Sequence, residues 1–117
     1  MKTTEMLEKI VKAIDSKKGE NITAIKVENV TIIADYFVIT NGTSSTQVKA
    51  LADEVEYKLK QDGVMPLRIE GHRSNNWVLI DYGTIVVHVF LGETREFYSL
   101  EHLWTDGEKV DVSALLS

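Results

Sequence analysis

The chain has 117 residues, 44% of them hydrophobic and 26% charged, and it contains no cysteine. Such a composition suits one globular domain that buries roughly two thirds of its unfolded surface, and it excludes disulfides and cysteine-held zinc or iron–sulfur centres. Thirteen basic against eighteen acidic residues leave a formal charge of −5, which disfavours direct binding of DNA or RNA and favours a basic protein partner.

The first stretch, MKTTEMLEKIVKAID, scatters charges among its apolar positions and so does not read as a signal peptide. The longest apolar run, Ile85–Leu91, is broken by His88 and is too short to cross a bilayer. A cytoplasmic protein with no membrane contact is expected. Over residues 4–18, Met6, Leu7, Ile10, Val11 and Ile14 fall on one helical stripe, with Thr3 or Thr4 placed to cap its start and Gly19 its end. ITAIKVE alternates Ile25 and Val27 with polar neighbours, as a half-buried strand does, and DYFVIT reads as a second strand ended by Asn41-Gly42.

Ser44-Ser45-Thr46-Gln47 has capping-box spacing, with Ser44 as the cap and Gln47 reaching back. Behind it Val48, Leu51, Ala52, Val55 and Leu59 keep a helical rhythm until Asp62-Gly63. Pro66 precedes a short strand, LRIE, and residues 75–90 read as a hairpin. Residues 94–104 predict a last helix with Phe97, Leu100 and Trp104 on one side. Residues 107–117 form a short C-terminal tail, weakly amphipathic, whose packing the pattern leaves open. The expectation is a single α/β domain over residues 1–106, built on a mixed five-stranded sheet flanked by helices.

The candidate for enzymatic chemistry is Asn41-Gly42-Thr43-Ser44, where a strand runs into a helix N-terminus that can face an anion. Nucleotidyltransferases use a Gly-Ser turn of this kind, together with two or three carboxylates on Mg²⁺, usually an Asp-x-Asp on the following strand. Here Glu70-Gly71-His72 and Asp81-Tyr82-Gly83 each supply one acid and neither supplies the pair. Helix capping accounts for the same turn with no ligand at all. His72, His88 and His102 lack metal-ligand spacing, and Ser44, Ser45 and Ser74 lack a nucleophile elbow. No catalytic residue, metal or cofactor is expected.

The hairpin is more informative. With a turn of even length, alternation places Trp77, Leu79, Asp81, Val86, His88 and Phe90 on one face. Val78, Ile80, Tyr82, Ile85, Val87 and Val89 then occupy the other, which is almost pure core. The first face has the aromatic character of a protein-contact surface, although a covering helix is an equally physical use for it.

Several motifs in order carry a resemblance. Asp35-Tyr36-Phe37-Val38-Ile39, Gly42-Thr43-Ser44-Ser45, Gln47-Val48, Glu70-Gly71, Trp77-Val78-Leu79-Ile80-Asp81-Tyr82-Gly83, Val86-Val87-His88-Val89-Phe90 and the run from Arg95 to Trp104 resemble the ribosomal silencing factor (RsfS) family, related to the plant iojap protein. The similarity spans residues 4 to 106. It implies a nucleotidyltransferase-like fold without that activity, in a protein that is commonly a homodimer when free. It further implies a factor that binds the large ribosomal subunit through its fourteenth ribosomal protein, a basic one. The bound factor blocks joining of the small subunit and so represses translation when nutrients are short; organelle relatives act in large-subunit assembly. On that basis Trp77, Leu79, Asp81, His88 and Phe90 become the expected partner-binding residues, with Arg95 and Tyr98 beside them. A small nucleotide-transferring enzyme using Gly42-Thr43-Ser44, Glu70 and Asp81 is the alternative, and a dimeric adaptor unrelated to ribosomes a weaker one.

Overall fold

The structure, a computed structural model, describes residues 2–28, 34–71, 76–92 and 107–116. The helix expected over residues 94–104, with Arg95, Tyr98 and His102, lies outside the described residues, as does His72.

The apolar stripe at the start of the chain becomes helix α1 (Thr3–Ser16), which buries Met6, Leu7, Ile10, Val11 and Ile14 as its spacing predicts. Its start differs in detail: Lys2 is the N-cap residue, and no side chain caps it. Its end differs too. Lys18, not Gly19, takes the left-handed conformation (φ 61°), and the N–H groups of Lys18 and Gly19 donate to the carbonyls of Asp15 and Ile14, closing the last turn. Gly19 is needed for a different reason: a Cβ there would lie 2.4 Å from Ile14 and 2.7 Å from Thr40.

Strands β1 (Glu20–Lys26) and β2 (Tyr36–Gly42) follow, then helix α2 (Ser45–Gln61). The Ser44 hydroxyl accepts the Gln47 N–H at 3.1 Å, as expected of a cap. Gln47 reaches back one residue further than the box requires, accepting from the N–H of Thr43 at 2.6 Å. Its amide nitrogen also donates to the carbonyls of Lys17 and Lys18. One side chain therefore ties the start of α2 to the end of α1.

Strands β3 (Arg68–Glu70), β4 (Trp77–Asp81), β5 (Ile85–Leu91) and β6 (Glu108–Val110) complete the sheet, followed by a short helix α3 (Val112–Leu116). The order β3-β4-β5-β2-β1-β6 gives six strands where five were expected. The additional strand comes from the tail. It pairs antiparallel with β1, Ala24 opposite Val110 and Lys26 opposite Glu108. Val110, Val112, Leu115 and Leu116 pack against the main core. The β2–β5 pair is parallel and the other described pairs are antiparallel, so the sheet is mixed as predicted.

Two cores lie on the two faces. On the first, α1 and α2 cover Val78, Ile80, Tyr82, Ile85, Val87 and Val89 together with Ala24 and Val38. On the second, Ile25, Val27, Ala34, Phe37, Ile39, Val86 and Phe90 form a separate cluster, with Leu79 packed against it. Among the described residues, no helix is long and apolar enough to cross a membrane.

Candidate functional site

The hairpin register decides which side chains meet. Trp77 pairs with Phe90, Leu79 with His88 and Asp81 with Val86, so the even-length turn assumed from sequence is present and all six residues share one face. Tyr82 donates to the Ile85 carbonyl at 2.9 Å, leaving Gly83-Thr84 as the turn. Gly71 fixes the far end of β4: a Cβ on it would come within 1.8 Å of the Trp77 carbonyl oxygen. The parallel neighbour β2 adds Phe37, Ile39 and Asn41 to the same face, opposite Val86, His88 and Phe90. These three positions were not recognised as part of the site from sequence, because nothing in the chain shows that β2 and β5 are neighbours.

The rings form a stack. Trp77 and Phe90 lie 5.6 Å apart and nearly parallel at 10°, Trp77 and His88 5.9 Å apart at 19°, and His88 and Phe90 6.2 Å apart at 9°. Phe37 meets the imidazole from the other side at 5.1 Å and 53°. The indole Nε1–H of Trp77 donates to Nδ1 of His88 at 3.2 Å.

Depth separates the expected site residues into two sets. Phe90 is fully buried and His88 is 4% exposed, whereas Trp77 is 36% exposed; Leu79 and Asp81 are intermediate. The reason is position in the sheet, since β5 lies between β4 and β2 while β4 is next to the edge strand β3. His88 and Phe90 underlie the surface, and Trp77 forms it. Burial lowers the pKa of His88 from 6.5 to about 4. The indole N–H directed at Nδ1 opposes protonation further, so the imidazole is neutral near pH 7 with its proton on Nε2.

Asp81 is engaged within the fold on both oxygens. Oδ1 accepts the Gly83 N–H at 2.8 Å, bracing the hairpin turn, and Oδ2 faces Nε of Arg68 at 3.3 Å. Arg68 is also within 3.4 Å of Glu70. Arg68 and Glu70, both more than half exposed in their side chains, thus form a polar rim beside the aromatic stack.

The enzymatic alternative requires Asp81 and Glu70 near the Gly42-Thr43-Ser44 turn. Gly42 pairs with Leu91 at one end of β5, while Asp81 pairs with Val86 towards the other. Five residues of strand separate those positions, about 16 Å along the sheet. The Thr43 N–H of the turn is already bonded to the Gln47 side chain, and the Gln47 N–H at the start of the helix to the Ser44 hydroxyl. The turn and the acids do not meet.

A family model described as "Ribosomal silencing factor during starvation" matches residues 1–117. The chain belongs to the ribosomal silencing factor family. The Ribosomal silencing factor RsfS of Halalkalibacterium halodurans is 39% identical over 117 residues, covering 100% of both chains. That of Bacillus subtilis is 40% identical over 100 residues, 86% of this chain and 85% of its own. A crystal structure of a Bacillus halodurans protein superposes with a TM-score of 0.84 at 38% identity, covering 93% of this chain and 99% of the other. Membership of the ribosomal silencing factor family thus extends over the tail that supplies β6 and α3.

Proposed function

We propose that this protein is a ribosomal silencing factor that docks on the large ribosomal subunit through the aromatic face, using Trp77 as its exposed anchor. The contact is with the fourteenth large-subunit protein, a basic partner for a chain of formal charge −5. Occupation of that site blocks joining of the small subunit and lowers translation under nutrient limitation. The observation that carries the reading is the family match over the whole chain combined with a tryptophan that is 36% exposed above buried aromatic rings, next to an edge strand. A large aromatic residue exposed on a sheet face suits a protein contact better than a catalytic cleft.

The factor works as a steric block and not as an enzyme, on a nucleotidyltransferase-like frame that has lost its catalytic carboxylates. The separation of the Gly42 turn from Asp81 supports this. In the cytoplasm the free protein is a homodimer, and Arg95 and Tyr98 are further partner-binding residues. Sedimentation in a sucrose gradient tests the proposal: the protein travels with large subunits and reduces the yield of whole ribosomes. Absence from the large-subunit fractions would overturn it.

A further inference from the structure

The hydrogen bond between Trp77 and His88 determines how the anchor can be used. His88 is almost wholly buried, lies nearly parallel to the indole ring and receives its only N–H. An indole carries one donor and no acceptor. With that donor directed inwards, the exposed part of Trp77 consists of ring carbons and π surface alone. One side of the ring is stacked over Phe90, which fixes the ring plane, while the bond to His88 fixes the position of its nitrogen.

We infer that His88 is a positioning residue for the docking anchor: by accepting the indole N–H it holds Trp77 in one orientation, so that the partner meets an apolar ring and gives it no hydrogen-bond acceptor. This rests on the docking role assigned to Trp77 above. It defines the recognising chemistry on the other side as an aliphatic side chain or the flat face of a cation, both of which pack on an aromatic ring. A carboxylate or carbonyl group seeking the indole N–H is excluded. His88 itself need not touch the partner, which reconciles its presence on the face with its depth.

Substitutions at position 88 separate positioning from simple packing. Asparagine places an oxygen where Nδ1 stands, whereas phenylalanine fills the space without an acceptor. His88→Phe is expected to bind purified large subunits about five-fold more weakly, the scale of one hydrogen bond, and His88→Asn to regain most of that loss. In a Trp77→Phe background, which has no indole N–H, His88→Phe should produce no further loss. In the free protein, the indole proton of Trp77 should exchange slowly with solvent and do so faster in His88→Phe, read from ¹H–¹⁵N spectra. Equal losses on His88→Phe in both backgrounds, or none in the Trp77 background, would overturn the positioning role. If Trp77→Ala binds as well as the unaltered protein, the docking assignment itself fails, while the exchange measurement still reports on the hydrogen bond.

Discussion

The two faces of the sheet are built from the same hairpin and used differently. The face under α1 and α2 carries Val78, Ile80, Ile85, Val87 and Val89, all buried and aliphatic, with Tyr82 at the end of the row. The opposite face carries Trp77, Leu79, Asp81, His88 and Phe90, with an internal hydrogen bond, an ion pair and stacked rings. The difference teaches that alternation along one strand can separate a layer that only stabilises from a layer that also holds a surface group in place. On the second face buried and exposed residues are layered, Phe90 and His88 beneath and Trp77 above.

If both faces are core at depth, Leu51→Ala on the helical side and Phe90→Ala on the aromatic side should each cost about 3 to 4 kcal/mol in urea unfolding. A small loss at Phe90 alone would show that the aromatic face is not a true core. A pH effect of similar size distinguishes the faces, since among the described residues only the aromatic one buries an imidazole. Below the unfolded pKa of 6.5 the unfolded chain binds a proton that the folded His88 refuses until about pH 4. Stability is therefore full above pH 6.5 and falls as the pH drops towards 4, by about 3 kcal/mol. His88→Asn should remove most of that slope in unfolding measured across the same range.

Trp77→Ala sharpens the comparison further. With 36% of the residue already exposed, stability should fall by about 2 kcal/mol, less than at Phe90, while affinity for large subunits falls by about 2 kcal/mol or more, roughly thirty-fold, in a binding titration. The smallest effect is expected at the cap of α2. Ser44→Ala removes the acceptor for the Gln47 N–H and should lower stability by about 1 kcal/mol with binding unchanged.

Most of this architecture is legible in the sequence because periodicity reports it directly. The stripe of α1, the Ser44 cap, the division of the hairpin and its even turn are all local patterns. What escapes is what strand order decides. Glu108–Val110 has no apolar alternation, yet it becomes β6 because the outer edge of β1 offers it a backbone ladder; propensity yields there to tertiary context. Alternation identifies the face of His88 and Phe90 but not their depth, which follows from the central position of β5. The role of Asp81 was half readable, since Asp-x-Gly commonly forms a turn braced by the carboxylate. Its Arg68 partner needed the β3–β4 register. For that reason Asp81→Arg, which frees the turn and sets two cations against each other, perturbs the fold as well as any contact.

The central claim is that the aromatic face, and not the helical one, meets the ribosome. Each side of the molecule has an exposed aromatic residue to compare: Trp77 on the sheet face and Tyr57, 56% exposed, on α2. Co-sedimentation of Trp77→Ala and Tyr57→Ala with purified large subunits should show loss for the first and retention for the second. Retention of Trp77→Ala, or equal loss of both, would contradict the account.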